Sequence, residues 1–236
     1  MSPSPRAAPR AVVFDVDDTL YLERDYVRSG FDAVGAWAAT ELGAEGVGGA
    51  AWEHFLAGGR GDAFDVALRG AGIDPTPATV AAMVECYRDH RPRITMLPDA
   101  VALVDGLQGR VELAAVTDGP LASQRAKVEA LGVAEWARVV VFTEEFGPGF
   151  AKPHPRAFEL IEAHVGTRGS DNVYLADNPA KDFAAPRALG WRTVRVRRPE
   201  SLHAGVVSGA DVDLEVTDLT EAARLLGFGA ARVPRR

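Results

Sequence analysis

The chain begins its predicted folded part with a short apolar run that ends abruptly in acids. Ala11 to Phe14 are apolar and rich in β-branched side chains, which predicts a strand buried on both faces of a sheet. Three carboxylates follow at once, at Asp15, Asp17 and Asp18. Unpaired charges are expensive in a protein interior. The strand is therefore predicted to deliver these acids to an edge of the sheet, where a cation compensates them.

The pattern then changes to a helical period over about residues 22–95. Apolar residues recur there three and four positions apart, with helical spacing and no strand signal. The positions that define these helices include Val27, Phe31, Val34, Phe55, Leu68, Met83 and Tyr87. The pattern predicts an all-helical insert of about four helices over residues 22–94.

From residue 97 onwards, strand patterns alternate with helix patterns. The predicted strands cover residues 111–117, 138–142, 172–176 and 192–197. Short strands separated by single helices favour right-handed crossovers and an α/β fold with a doubly wound parallel sheet. The predicted core therefore comprises residues 11–21 and 95–228, and the ends at 1–10 and 229–236 are predicted to be flexible tails.

Composition narrows the classes of function. Acids exceed bases, with a formal net charge of −7 over 236 residues, so no global basic field favours a nucleic-acid partner. No apolar run approaches the ~18 residues of a membrane span, and residues 1–10 lack the apolar segment of a secretory signal. The single cysteine, Cys86, fits a reducing compartment. We expect a cytoplasmic protein, either a monomer or a homodimer.

Polar residues also follow the later strands. The second strand ends in Thr117, Asp118 and Gly119, a loop after the third contains Lys152, and the fourth is followed by Asp177. Ligands of open parallel sheets bind at the carboxyl ends of the strands. If these groups converge there, the carboxylates would offer oxygen ligands for Mg²⁺. The lysine and the threonine hydroxyl would donate hydrogen bonds to a phosphoryl group. Each group has a plainer reading, as a helix cap or a surface charge.

Together, these four motifs in order resemble the haloacid dehalogenase superfamily, in its phosphatase branch with a helical cap of the C1 type. The resemblance extends over about residues 12–226. It implies a Rossmann-like core, an inserted cap, Mg²⁺ as the cofactor and hydrolysis through an aspartyl phosphate.

The resemblance also implies roles for the first two motifs. Asp15 corresponds to the nucleophile, and Asp17 to the general acid and base whose main-chain carbonyl also ligates Mg²⁺. The chain is expected to turn directly after Asp15, so that both acids can reach one phosphate. Thr117 corresponds to the phosphate-binding hydroxyl, assisted by the amides of Asp118 and Gly119. Asp118 departs from the family pattern, in which Asn is common at this position.

The remaining motifs complete the expected site. Lys152 corresponds to the cation that neutralises both the nucleophile and the phosphate. Asp177 corresponds to a Mg²⁺ ligand, Asp182 to a group that ligates through water or orients Lys152, and Asn178 to a supporting residue. The expected metal set is Asp15, Asp17 and Asp177.

Asp17 also bears on the type of reaction. Dehalogenation has no use for a proton-donating acid two residues after the nucleophile, so hydrolysis of a phosphate monoester is favoured. A phosphomutase or phosphotransferase uses the same core and stays an alternative. A non-catalytic binding protein is a weaker alternative, because a member of the family that had lost its activity would be expected to lack some of these catalytic residues.

The helical insert is expected to choose the substrate, because a cap of this size can close over the site and exclude water. That favours a small phosphorylated metabolite, and a sugar phosphate and a nucleotide both remain open. The candidate specificity residues are Glu23, Arg24, Tyr26, Arg28 and Arg60.

Overall fold

The computed structural model of the protein describes residues 8–228. Except for residues 8–10, the tails predicted at 1–10 and 229–236 lie outside the described residues. Ten α-helices occur in the described part: α1 Glu23–Leu42, α2 Val47–Leu56, α3 Ala63–Gly70, α4 Pro77–Asp89, α5 Pro98–Leu107, α6 Leu121–Ala130, α7 Val133–Trp136, α8 Arg156–Val165, α9 Ala184–Ala188 and α10 Leu219–Leu225.

Six strands pair in parallel and form one sheet in the order β3-β2-β1-β4-β5-β6. Their bounds are β1 Ala11–Phe14, β2 Glu112–Thr117, β3 Val139–Phe142, β4 Asn172–Ala176, β5 Arg192–Val196 and β6 Leu214–Val216. The predicted doubly wound α/β fold is confirmed, and the first five strands lie close to their predicted bounds. The sequence analysis missed β6 and the short helices α7 and α10.

Strand β1 occupies a central position because both of its faces are covered. Val12 and Phe14 belong to a hydrophobic cluster with residues of α5, α6, α7 and α10. Ala11 and Val13 point the other way and pack with residues of α8 and α9. Successive side chains of a strand point to opposite faces. The uninterrupted apolar run is therefore explained by helices that cover both sides of β1.

The four predicted helices of the insert are present as α1 to α4, and they share a hydrophobic cluster of their own. Close approach of α1 and α2 depends on Gly48, where a Cβ would come within 2.3 Å of the Phe31 carbonyl oxygen. The two ends of the insert lie next to each other on the core, where the Leu97 amide donates a hydrogen bond to the Leu20 carbonyl at 2.9 Å. That the helices act as a separate cap domain stays a prediction.

The chain turns immediately after β1, as expected. Asp15 still donates its amide to the Leu175 carbonyl of β4 at 2.8 Å, and Asp18 then adopts a left-handed backbone with φ of 52°. The buried Asp18 carboxylate accepts hydrogen bonds from the amides of Glu23, at 2.8 Å, and Leu202, at 2.7 Å. Asp18 therefore holds the turn, the start of α1 and a distant core loop together.

Candidate active site

A cavity of about 470 Å³ lies between the carboxyl edge of the sheet and the helical insert. In an open parallel sheet this edge is where ligands bind, at the point where strand order reverses around β1. The cavity is lined by six of the predicted core residues, namely Asp15, Asp17, Asp118, Gly119, Asp177 and Asn178. Thr117, Lys152 and Asp182 are also buried. Lys152 and Asp182 contact residues of this set, and Thr117 contacts Gln124, which also lines the cavity.

Lys152 lies at the centre of the buried charges, and its side chain is 1% exposed. Its Nζ lies 2.5 Å from Asp15 Oδ1 and 2.7 Å from Asp182 Oδ1, and it donates to the Tyr174 hydroxyl at 3.1 Å. Burial acts to lower the pKa of Lys152, but the two carboxylates outweigh it and hold that pKa well above its ordinary value. Lys152 is therefore a fixed ammonium that orients Asp15.

The acids nevertheless outnumber the cations that neutralise them. Carboxylate oxygens of Asp15, Asp177 and Asp182 lie within 4.8 Å of one another. Burial raises the pKa of Asp15 to about 7, although Lys152 opposes this, and burial with the charges of Asp15 and Asp182 raises the pKa of Asp177 to about 10. Asp177 Oδ2 is buried without a hydrogen-bond partner. A buried acceptor with no donor is costly, so this cluster fits a hard cation with oxygen ligands.

Asp17 points to a different set of partners from Asp15. Its Oδ1 lies 2.7 Å from Lys127 Nζ and also accepts a short hydrogen bond from the Tyr21 hydroxyl, while its Oδ2 accepts from Gln124 Nε2 at 3.3 Å. Burial acts to raise the pKa of Asp17, but Lys127 and these hydrogen bonds outweigh it and hold the pKa below its ordinary value. The Asp17 side chain is thus held away from the acid cluster, and its carboxylate still lines the cavity.

Helix α6 supplies two of those partners, which the sequence analysis did not find. Gln124 also accepts a hydrogen bond from the Thr117 hydroxyl at 2.6 Å, through its Oε1. Gly119 makes this arrangement possible, because its φ is +143° and a Cβ there would lie 2.9 Å from Gln124 Nε2. The hydroxyl expected to bind phosphate is therefore engaged with Gln124 in this structure.

Asp118 is directed to the side of the cavity. Its Oδ1 accepts from the Thr143 hydroxyl at 2.5 Å and from the Lys152 amide at 3.2 Å, and its Oδ2 pairs with Lys181 at 3.0 Å. Burial acts to raise the pKa of Asp118, but these partners outweigh it and lower that pKa. The acid that departs from the family pattern is thus neutralised by its own neighbours and fixes the loop that carries Lys152.

The loop after β4 is stabilised by its own side chains. Asp182 Oδ2 accepts from the Asn178 amide at 2.9 Å, and Asn178 Oδ1 accepts from the Ala180 amide at 3.0 Å. Asn178 Nδ2 lies 3.0 Å from His203 Nε2, and His203 also lines the cavity. Asp182 thereby orients both Lys152 and the loop that presents Asp177. The sequence analysis did not single out His203, which lies on a loop beyond β5.

Two of the five specificity candidates, Glu23 and Tyr26, line the cavity. The other three make contacts within the insert. The guanidinium groups of Arg24 and Arg28 lie 5.9 and 5.2 Å from the Trp52 ring centre, and Arg60 lies 4.1 Å from the ring centre of Phe55. The structure thus brings Glu23 and Tyr26 to the site and places the three arginines on other surfaces of the insert.

Replacement of Lys127 by Met tests the role of the ammonium beside Asp17. We expect kcat/KM to fall by about 10²-fold, the scale of a disturbed general acid–base group. Without Lys127 the pKa of Asp17 rises, and because Asp17 must be protonated to act as the general acid, the falling limb of kcat/KM at high pH moves to higher pH. Steady-state kinetics across a pH series measures both effects. Arg125→Met removes an exposed cation from the same helix (61% exposed) and should leave the profile in place; an unshifted limb in Lys127→Met would contradict the assignment.

The carboxyl edge of this parallel sheet carries an aspartate paired with a buried lysine, a second acid two residues later and a cluster of acids that could hold a cation. This arrangement is of the kind found in hydrolases. The family model for haloacid dehalogenase-like hydrolases matches residues 9–190. The chain belongs to this family.

Known relatives agree with the family assignment. The chain is 33% identical over 198 residues to the glyceraldehyde 3-phosphate phosphatase of Methanopyrus kandleri, covering 80% of this chain and 84% of that protein. It is 33% identical over 162 residues to the phosphoserine phosphatase of Thermus thermophilus, covering 67% and 61%. A family hydrolase structure from Deinococcus radiodurans superposes with a TM-score of 0.65 at 19% identity, covering 96% and 99%. The chain is accordingly a hydrolase of the phosphatase type.

None of the helices between residues 8 and 228 combines the length and the apolar character that a bilayer crossing requires.

Proposed function

We propose that the protein hydrolyses the phosphate monoester of a small metabolite in a Mg²⁺-dependent reaction through an aspartyl phosphate on Asp15. The observation that carries this proposal is the position of Asp15 in the cavity, 2.5 Å from a buried Lys152 and in one acid cluster with Asp177, whose Oδ2 has no hydrogen-bond partner. Glyceraldehyde 3-phosphate and phosphoserine, named for two relatives, are both small phosphate monoesters, which supports this substrate class.

The chain's own residues account for both halves of the reaction. The negative charge of the bound phosphate raises the pKa of Asp17, so that Asp17 is protonated in the substrate complex. A carboxylate oxygen of Asp15 attacks phosphorus, the bond from phosphorus to the ester oxygen breaks, and Asp17 gives its proton to the departing alkoxide. Water then attacks the aspartyl phosphate, Asp17 takes a proton from that water, and the bond from phosphorus to the Asp15 oxygen breaks. Inorganic phosphate leaves, and both acids return to their starting states.

Charge stabilisation comes from groups that are already fixed. Lys152 is held by Asp15 and Asp182, so it needs no rearrangement to neutralise charge as phosphorus is attacked. Asp15 and Asp177, with the Asp17 main-chain carbonyl that the family uses, would hold Mg²⁺. Bound there, the ion would neutralise the carboxylates and stabilise the charge on the transferring phosphoryl group.

A phosphate-release screen over small phosphorylated metabolites, with and without Mg²⁺, tests the proposal. We expect several monoesters to release phosphate only when Mg²⁺ is present. A sugar 1-phosphate that is converted to its isomer with little free phosphate would favour the phosphomutase instead. No release from any member of the panel, by a folded protein supplied with Mg²⁺, would contradict the proposal.

Thermal unfolding measures the expected linkage between Mg²⁺, pH and stability. The pKa of Asp177 is raised in the folded state, so the folded state binds the extra proton and stability without metal falls as pH rises between about 4 and about 10. Mg²⁺ replaces protons, and we expect its stabilisation to be larger near pH ~8 than near pH ~5. At about 100 times its Kd the ion adds about 2.7 kcal/mol. Asp177→Asn should remove most of this gain, whereas an unchanged gain would exclude Asp177 as a ligand.

A further inference from the structure

The side of the cavity that faces the acids is formed by the helical insert, and it is mainly apolar. We call this surface the apolar roof. It consists of Phe31 on α1, Ala63 and Phe64 on α3, and Val80, Val84 and Tyr87 on α4. The core contributes mostly charged and polar side chains to the opposite side. A substrate seated with its phosphate at Asp15 would therefore have its leaving group against apolar side chains.

The rings of the apolar roof are packed against one another. Phe31 lies 5.8 Å from Phe64 and 5.6 Å from Tyr87, and Phe64 lies 6.1 Å from Tyr87, measured between ring centres. Two of these three contacts are edge-on, an arrangement that aromatic pairs prefer. Three rings fixed in this way give the cavity a preformed surface of aromatic carbon.

Three charged side chains of the insert also line the cavity, namely Glu23, Asp65 and Arg88. Asp65 pairs with Arg69 at 3.8 Å. Glu23 lies near Asp17 and Lys127, whose charges act on it, and burial with the Asp17 charge raises the pKa of Glu23 to about 7. Arg88 lies among the exposed residues of α4.

We propose that the leaving group of the substrate carries a flat ring whose apolar face packs against the apolar roof. The face of such a ring buries apolar area there and places no hydroxyl group against carbon. A bare triose or sugar would instead press hydroxyl groups against carbon, where each unpaired hydroxyl is penalised. The cavity of about 470 Å³ falls within the size range of ligand pockets. This inference rests on the proposed function and names the substrate class of the same site.

Uridine 5′-monophosphate and ribose 5-phosphate form a matched pair of ligands, since they share the phosphate and the sugar and differ in the ring. Calorimetry with the Asp15→Asn variant and Mg²⁺ measures their affinities without turnover. We expect the nucleotide to bind at least about tenfold more tightly, because burying even a small apolar group in a fitting pocket changes affinity on that scale. Benzyl phosphate separates the two sources of a ring: binding as tight as the nucleotide favours an aryl alcohol, and weaker binding favours a nucleoside.

Phe64→Ala, made in the Asp15→Asn background, should reduce the nucleotide preference severalfold while leaving the affinity for ribose 5-phosphate nearly unchanged. Val66→Ala is the matched control, because Val66 lies on the same helix and is 37% exposed. A preference below tenfold, or no binding of either ring-bearing ligand, would overturn the inference. Phosphate release by the unaltered enzyme from ribose 5-phosphate but not from the ring-bearing esters would also overturn it while upholding the proposed function.

Discussion

Asp15→Asn is expected to lower kcat/KM by on the order of 10⁴-fold or more, because an amide cannot attack phosphorus as a carboxylate does. The substitution keeps the size and shape of the side chain. Lys152 keeps its second partner, Asp182, at 2.7 Å, so the local structure should be retained. Phosphate release under saturating Mg²⁺ measures the loss, and circular dichroism shows whether the variant is folded.

Asp105→Asn is the control for this experiment. Asp105 is an exposed acid on α5, and its replacement should leave turnover unchanged. Normal turnover by Asp15→Asn would show that another group attacks phosphorus or that water attacks directly.

Lys152→Met should cause the second large effect, and it should change both activity and stability. Removing the ammonium leaves the buried acids Asp15 and Asp182 without their common partner. Breaking a buried pair in this way costs about 3–5 kcal/mol of folding free energy. Activity should fall by about 10³-fold, because a fixed charge at the reacting centre is lost.

The pH dependence of the Lys152→Met variant distinguishes this cause from general damage. The pKa of Asp15, already raised to about 7 by burial against the opposing effect of Lys152, should rise further without the cation. The folded variant then binds more protons than its unfolded form, so its stability falls as pH rises. Urea unfolding should therefore show a smaller deficit near pH ~5 than near pH ~8.

Arg224→Met provides a comparison for the lysine variant. Arg224 pairs with Glu221 at 3.9 Å and is 71% exposed. Surface pairs of this kind contribute about 0–1 kcal/mol, so this variant should remain close to the original stability at both pH values. A Lys152→Met variant that is equally stable would contradict the buried-pair assignment.

Local patterns were sufficient to predict the strands that are fully buried. The run from Ala11 to Phe14 carries its own signal, because both faces of β1 are covered by helices. Strand β6 has no such signal: Leu214 and Glu215 are both exposed, and the segment is a strand only through its pairing with β5. Pairing between distant segments is not encoded in the periodicity of either segment alone.

The partners of Asp17 show the same limit within the site. Lys127 and Gln124 are 110 and 107 positions away from Asp17 along the chain. Their helix, α6, places polar residues in the interior of the protein. Ser123, Gln124 and Lys127 are all buried on α6. A polar stripe at helical spacing usually indicates a solvated face. Only its position after the Thr117–Gly119 motif could have indicated that this stripe faces the cavity.

Proximity along the chain was a poor guide to the specificity residues. Arg24 and Arg28 follow the first motif closely, but helix α1 directs them to Trp52. Phe64 and Tyr87 come much later in the sequence, and the fold of the insert returns them to the cavity. Their apolar character indicated core positions, and the cavity between the insert and the sheet is visible only in three dimensions.

Chemical trapping of the phosphoenzyme identifies the residue that attacks phosphorus. The enzyme is mixed with a turning-over substrate and Mg²⁺, quenched and reduced with borohydride, which converts an aspartyl phosphate to homoserine. Peptide mass spectrometry then locates the modified residue. We expect homoserine at Asp15, dependent on both substrate and Mg²⁺, and none in Asp15→Asn. Full turnover with an unmodified Asp15 and homoserine at another carboxylate would contradict it.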